Sequence, residues 1–327
     1  VAHTSSTIDT GFSKSVAASA SERWLAAILW AAVAALLFYQ LGGAALIDPD
    51  EGRNSEKARE ILALNDWVTP HENFHAVLDK PMFFYWMIAL SYKLFGVSEW
   101  AARFPSAVAA LGCLIVVYFF ARRHWGPWTA LWSTLILLAN VEFFALARIV
   151  ILDMSLTLAV TLALCAFYEA THTENARWRR VLCGVMYLAL GVAVLIKGLI
   201  GVVVPGMVIF FYLALGRRWK MLKGIDLVPG ALLVLAVALP WYLQAEARNP
   251  GYLRYFFLDE HFGRFTTNEF RRAGPWYYFF AVVTVGFLPW SVFLPLAVRK
   301  FWREGFDDKF LFLILWALLP FIFFSIS

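Results

Sequence analysis

"PMFFYWMIALSYKLFG", residues 81–96, is apolar enough to count as a membrane span, yet it is short for one and contains Lys93. A helix that crosses a bilayer needs about 20 predominantly apolar residues. Whether this stretch crosses fixes the side of the membrane on which every later loop lies. The whole chain poses that question, because 61% of its 327 residues are hydrophobic and only 16% are charged. Its mean hydropathy is +0.67, and soluble domains carry about 25% charged residues. The apolar runs are too long for strands and lack a period of two. The chain therefore reads as an all-α polytopic membrane protein.

Nine further apolar runs lie near 24–47, 104–121, 127–147, 149–170, 181–196, 199–215, 226–247, 275–298 and 310–327. The first is too long for the apolar region of a cleavable signal peptide. Four connections are basic: Arg122/Arg123; Arg177/Arg179/Arg180; Arg217/Arg218/Lys220/Lys223; and Arg299/Lys300/Arg303/Lys309. Basic loops stay on the cytoplasmic side. All four share that side only if 81–96 does not cross, so this stretch is predicted to lie along the outer surface as an amphipathic, interfacial segment. Nine spans with the N-terminus inside follow from this. Residues 1–21, rich in Ser, Ala and Thr, read as a mobile cytosolic tail, and 22–327 as a membrane domain. The chain stops at "LLPFIFFSIS", within an apolar helix, and is expected to be part of a longer protein.

On this topology three outer regions carry most of the remaining polar residues: 48–103, 148–153 and 248–274. The first is long for a connection. Within it "DEGRNSEKAREILALN" (50–65) sets Glu56, Lys57, Arg59 and Glu60 around Ala58, Ile61 and Leu62, the pattern of an interfacial amphipathic helix. A loop follows to Pro81, and Ser98 is placed to cap the next helix.

The charged residues nearest the membrane carry the functional signal. Asp48, Asp50 and Glu51 either cap a helix or put acid chemistry at the membrane surface. Asp153 sits in "ARIVILDMSLTLAV", with only Arg148 nearby in sequence. A carboxylate at membrane depth is costly and faces a cavity, or pairs or caps at the interface. Lys80, before Pro81, offers a point charge suited to a phosphate, or pairs with Asp79. The third region adds Asp259, Glu260, His261, Arg264, Arg271 and Arg272, whose arginines match phosphate oxygens or anionic lipid. Glu142 and Lys197 stand near span ends, and Lys197 is expected to snorkel. His71, His75 and His261 have no diagnostic metal spacing. Cys113, Cys165 and Cys183 lie in apolar runs and read as core. The chain has no Walker loop, no G-x-G-x-x-G and no H-E-x-x-H, which argues against nucleotide hydrolysis and zincin chemistry.

In order along the chain, "PDEGRNSEKAREILALNDWVTPH" (49–71), "DKPMFFYWMIALSYKLFG" (79–96), "EWAARFPSA" (99–107), "ILD" (151–153), "IKG" (196–198), "EHFGRF" (260–265) and "FLPW" (287–290) resemble the GT-C membrane glycosyltransferases of the protein O-mannosyltransferase superfamily. Within it they look most like the bacterial lipid A 4-amino-4-deoxy-L-arabinose transferases. The resemblance implies a GT-C helix bundle, continued by further spans and a periplasmic domain. It implies transfer of the amino sugar from a polyprenyl (undecaprenyl) phosphate carrier to lipid A phosphates at the periplasmic face of the bacterial inner membrane. Asp50 and Asp153 become the catalytic acids, and Lys80, Arg264 and Arg53 the contacts of the carrier phosphate. Asp79 and His261 take positions associated with a bound zinc, although no cofactor is required for the chemistry. Two departures are Asn54 in place of Tyr and Asp79 in place of Glu, and the shorter carboxylate reaches less far. The implied partners are donor, acceptor and membrane lipids, without nucleic acid, on a monomer. Two alternatives stay open: a related transferase acting on a protein or another lipid, and a lipid or small-molecule transporter or flippase.

Overall fold

The computed structural model describes residues 20–258, 277–304 and 307–326. The predicted N-terminal tail lies outside them, apart from its last two residues, which open the first helix. Among the described residues fourteen α-helices run in the order α1 (Ala20–Phe38), α2 (Asp50–Leu64), α3 (Phe83–Phe95), α4 (Glu99–Trp125), α5 (Pro127–Leu138), α6 (Val141–Leu146), α7 (Leu152–His172), α8 (Ala176–Lys197), α9 (Ile200–Leu215), α10 (Leu227–Arg248), α11 (Tyr252–Arg254), α12 (Tyr278–Gly286), α13 (Leu294–Glu304) and α14 (Asp308–Ile326). A two-residue antiparallel ribbon, β1 (His71–Glu72) with β2 (His75–Ala76), folds the loop between α2 and α3.

Five of these helices, α4, α7, α8, α10 and α14, are long and apolar enough to cross a membrane. Two runs predicted as single spans are not single helices. The run 127–147 breaks because Asn140 adopts an extended backbone and its side chain accepts the Phe143 amide, starting α6 afresh. The run 275–298 bends by 103° between Tyr278–Gly286 and Trp290–Lys300. The break falls on "FLP", where Pro289 cannot donate to the helix ladder.

The antiparallel pair α7 and α8 forms the centre, with α4, α9 and α10 packed on it, α5 behind α4, and α14 against α9. Small residues let these backbones approach, as in membrane bundles generally. At the α8–α9 turn a Cβ on Gly201 would lie 2.5 Å from the carbonyl carbon of Ala193, which is backbone and cannot step aside.

The two ends of the bundle are chemically distinct. At the end of α7 that starts with Asp153, Lys197 of α8 meets the Asp153 carboxylate. At the other end Glu169 bonds His124 at the close of α4, and His172 bonds Asp308 at the start of α14. Arg218 pairs with the same Asp308, and Lys309 Nζ donates to the His124 carbonyl. Arg122/Arg123, Arg217/Arg218 and Lys309 thus gather at the His172 end. The 21 residues of α7 separate that end from Asp153 by about 30 Å.

Around α3 the chain is pinned at both sides to one short stretch of α2. Lys57 binds Asp79 ahead of α3, and Glu51 binds Arg103 in the first turns of α4. Glu51 and Lys57 are separated by about 9 Å of helix rise, far less than a bilayer thickness of about 30 Å. Segment 81–96 therefore lies across the Asp153 end of the bundle. Ser98 caps α4 by accepting the Ala101 amide, as the sequence predicts.

The Glu51–Arg103 pair is buried, each side chain 4% exposed. Arg103 donates to both Glu51 oxygens at 2.9 Å and to the carbonyls of Leu41, Ala44 and Ala45. Glu51 also accepts the amides of Ile47 and Val150. Burial pushes its carboxyl up, but Arg103 and the two amides outweigh that and hold it below its ordinary value of 4.5.

Three outcomes follow. Arg103→Ala leaves a buried carboxylate unpaired and should destabilise the fold by about 3–5 kcal/mol, measured by thermal or denaturant unfolding in detergent. Because the folded Glu51 carboxyl titrates below its unfolded value, its contribution is present above 4.5 and is lost as pH falls through the folded value. The unfolding midpoint should drop in that acid window, and Glu51→Gln, itself less stable, should show a flatter dependence. Gly201→Ala should cost about 1–3 kcal/mol by overpacking, read in the same unfolding assay.

Candidate functional site

The helix α2 supports a polar site at the Asp153 end. Its residues Arg53 and Lys57, spaced i to i+4, share one face. Arg53 Nε donates to Glu72 Oε1 at 2.9 Å, and Lys57 Nζ lies 3.7 Å from Glu72 Oε2. Lys57, 2% exposed, also donates to Asp79 Oδ1 at 2.7 Å. One turn on, both Glu60 carboxylate oxygens accept the Phe74 amide at the tip of the ribbon. Asn73 and Phe74 turn there with positive φ. Three side chains of one helix thus fix the loop that presents Asp79 and Lys80. Lys80 Nζ donates to the Asp79 carbonyl at 3.0 Å. The carboxylate of Asp79 goes to Lys57, so the pairing considered for Asp79 and Lys80 is replaced by two different bonds.

Two buried phenols complete this region. Tyr85 of α3 is fully buried and Tyr252 of α11 is 2% exposed, and neither hydroxyl has a hydrogen-bond partner among the described residues. Burial first, then the Asp79 and Glu72 charges, raise Tyr85 well above its ordinary value of 10, so it is a neutral O–H donor. Tyr252 is raised in the same sense by burial and by neighbours that include Tyr242, Asp79 and Tyr85.

Asp50 opens α2, is exposed, and lies within electrostatic reach of Arg53. No side chain caps α2: Pro49 stands at the cap position, so the capping role weighed for Asp48 and Asp50 is not taken. Asp48 rests on Gly52, where a Cβ would lie 2.6 Å from its Oδ1. Asn54 Nδ2 donates to the Val150 carbonyl while Glu51 takes the Val150 amide. These bonds draw the start of α2 onto the segment leading to Asp153, so Asp50 and Asp153 occupy the same end of the bundle.

Asp153 Oδ1 accepts Lys197 Nζ at 2.6 Å, both side chains about a third exposed. Lys197 therefore does not snorkel; its ammonium is held by a carboxylate 44 residues away in sequence. Glu142 lies within electrostatic reach of Asp153 and packs on Gly286 at the bend of 278–300. Arg148, the cation nearest Asp153 in sequence, donates instead to the carbonyls of Leu36, Leu37 and Tyr39, closing the C-terminus of α1.

Arg264 and His261 lie outside the described residues. Among the described residues no three His, Cys, Asp or Glu side chains converge as metal ligands. Asp79 already neutralises an ammonium, and His71 and His75 of the ribbon join no such group. His261, which the resemblance pairs with Asp79 at a zinc, lies outside the described residues. Sequence reasoning missed Lys57, Glu72, Tyr85, Tyr252 and the Glu51–Arg103 pair. The i, i+4 spacing of Arg53 and Lys57 is the one local signal that marks a shared face for part of this set.

A helical membrane bundle with a polar helix and its loop folded over one end and basic connections at the other is thus the class of protein that the fold defines. The family profile described as Dolichyl-phosphate-mannose-protein mannosyltransferase matches residues 79–243, half of the chain, and the chain belongs to that family. The undecaprenyl phosphate-alpha-4-amino-4-deoxy-L-arabinose arabinosyl transferase of Pseudomonas aeruginosa (strain LESB58) is 36% identical over 297 residues, 89% of this chain and 53% of that protein. Its counterpart in Edwardsiella ictaluri (strain 93-146) is 34% identical over 306 residues, 90% of this chain and 54% of that protein. The crystal structure of ArnT from Cupriavidus metallidurans bound to undecaprenyl phosphate is similar with a TM-score of 0.88 and 34% identity, covering 94% of this chain and 56% of that chain. The GT-C-type bundle is therefore the fold of this chain. The chain spans about half the length of the curated relatives it matches.

Because Asp153 and Lys197 are each about a third exposed, their pairing should stabilise the fold by less than about 1 kcal/mol. Asp153→Asn and Lys197→Met, made singly and together, should unfold close to wild type in a double-mutant cycle. A large loss of stability in either single variant would contradict this.

Proposed function

We propose that this protein transfers 4-amino-4-deoxy-L-arabinose from undecaprenyl phosphate to lipid A phosphates, at the periplasmic face of the bacterial inner membrane. The observation that carries the reading is the 0.88 TM-score, over 94% of the chain, to a transferase crystallised with undecaprenyl phosphate. The relatives named for this reaction, at 34–36% identity over about nine-tenths of the chain, support the sugar. The gathering of Arg122/Arg123, Arg217/Arg218 and Lys309 at the far end of α7 supports the orientation, since basic loops stay cytoplasmic.

The chemistry follows from charge. The carrier phosphate is the leaving group, and negative charge grows on it as the glycosidic bond breaks. Lys80, Arg53 and Arg264 are assigned to neutralise it, an effect that counts most in a water-poor site. The acceptor phosphate is already an anion and needs no strong base. Asp50, exposed at the start of α2, then serves to orient the acceptor or to hold the ammonium of the amino sugar, and Asp153 shares that work. A carrier dissolved in the membrane delivers an activated sugar without a nucleotide, consistent with the missing nucleotide motifs. A second reading, transfer of another polyprenyl-linked sugar to a protein, is favoured by the protein-mannosylation description of the family.

The test uses the purified full-length protein, the undecaprenyl-linked amino sugar and lipid A, with mass spectrometry of the product. Addition of aminoarabinose to lipid A is expected; modification of a protein acceptor alone would establish the second reading. Asp50→Asn and Asp153→Asn should abolish transfer while inserting and folding normally, and wild-type turnover by both would remove them from the site. Lys80→Ala should weaken carrier binding about tenfold, or ~1.4 kcal/mol, in a direct lipid-binding measurement.

A further inference from the structure

Lys57 carries a full charge in a place closed to water, 2% exposed. Desolvating an ammonium costs several kcal/mol, so it persists only with close partners. Its partners are Asp79 at 2.7 Å and, more distantly, Glu72 at 3.7 Å. A tie between α2 and the ribbon does not require it, since Arg53–Glu72 and Glu60–Phe74 already make that connection. What Lys57 adds is a hold on Asp79, the residue directly before Lys80. Lys80 Nζ rests on the carbonyl of that same Asp79, and Pro81 fixes the backbone on the far side. The peptide from which Lys80 projects is thus clamped through the Asp79 side chain and stiffened by the proline.

The surroundings of the clamp are those of a site for a hydrogen-bond acceptor. The Tyr85 and Tyr252 hydroxyls are buried and unpartnered among the described residues, and both lie within electrostatic reach of Asp79. A buried donor left unpaired costs about 1–3 kcal/mol. The Lys57 ammonium lies 5.4 Å from the Tyr85 ring centroid. Two phenolic O–H groups and two ammonium groups around one loop form a donor set, and a phosphate ester is an acceptor-rich ligand.

We propose that Lys57 is a positioning residue for the carrier phosphate: through its ion pair with Asp79 it holds Lys80 where the phosphate is received. The proposal rests on the reading above that Lys80 binds the carrier.

The test is a double-mutant cycle on the full-length protein in lipid nanodiscs, with undecaprenyl phosphate as the ligand and its Kd as the readout. Lys57→Met alone leaves Asp79 unpaired and can fail to fold. The working variant is therefore Lys57→Met with Asp79→Asn, which removes both charges together and leaves neither without its partner. Its unfolding midpoint, compared with wild type, shows that the fold is kept. The neutral pair is expected to weaken carrier binding about tenfold, ~1.4 kcal/mol, as Lys80→Ala does. Adding Lys80→Ala to the neutral pair should then weaken it little further, because the two act as one unit. Wild-type affinity in the neutral pair, or losses that multiply in the triple variant, would overturn the positioning role while leaving the functional reading in place. A wild-type protein that does not bind the carrier overturns that reading and this proposal together.

Discussion

The buried pair of Glu51 and Arg103 is the contact on which the Asp153 end of the molecule depends. An arginine and a glutamate taken out of water lose several kcal/mol of hydration each, and their attraction repays this only when every remaining donor and acceptor is also met. Here that condition holds. Arg103 spreads its donors over both Glu51 oxygens and three carbonyls of the turn after α1, and Glu51 receives two backbone amides besides the guanidinium. One ion pair thereby joins the end of α1, the start of α2, the first turns of α4 and the segment that leads into α7. A neutral pair of similar size would fill the space but would leave those carbonyls and amides unserved, so the charges here fix position as well as filling volume.

From that anchor α2 can be a polar helix in an otherwise apolar protein. Beyond its short apolar face, a helix this polar needs partners for its side chains, and α2 finds them on separate faces. Glu51 and Asn54 turn to the bundle, Arg53, Lys57 and Glu60 to the loop and its ribbon, and Ala58 and Ile61 are buried in the core beside α3. Asp50 is left exposed at the start of the helix. The position of Asp50 is thus set by the anchor one residue away, and that of Lys80 by Lys57 across the loop. Both assignments of the proposed chemistry hang on one rigid fifteen-residue element.

How much of the structure is legible in the sequence depends on the range of the interaction involved. The apolar runs other than 127–147 and 275–298, the Ser98 cap and the amphipathic stretch 50–65 are local signals, and each forms a helix or its cap in the structure. Hydropathy sees only whether a run is apolar, so it passes over Asn140 and Pro289, where hydrogen bonding ends a helix inside an apolar segment. Ion pairs between distant positions are not visible at all. Arg103 looks like a surface arginine near a helix start until Glu51, 52 residues earlier, is folded against it. Arg148 looks like the partner of Asp153 because it is near in sequence, yet the turn before α7 carries it to the carbonyls of α1 and leaves Asp153 to Lys197. Arg264 and His261 fall outside the described residues, so their part in the site rests on resemblance alone.

The distribution of charge along the bundle bears on what kind of machine this is. Every ion pair among the described residues lies toward one end or the other: Arg53, Lys57, Arg59, Arg103, Lys197 and Arg248 with their acids at the Asp153 end, and Arg123, His124, His172 and Arg218 with theirs at the opposite end. Between them α7 and α8 are packed through residues such as Ala163, Ala166, Ala189 and Ala193, small side chains that bring backbones together. A transporter needs polar groups at mid-membrane, where its cargo pauses between openings. A transferase fed from the lipid phase needs its charges at one surface only, where the carrier's phosphate already sits and its hydrocarbon tail can stay in the membrane. The pairs at the His172 end have a structural use, since Asp308 gathers Tyr168, His172, Tyr212 and Arg218 and fixes the start of α14. The Asp153 end carries the exposed Asp50, the half-open Asp153–Lys197 pair and the Tyr85 and Tyr252 hydroxyls, unpartnered among the described residues and within reach of Asp79, and it is on these groups that the proposed chemistry draws.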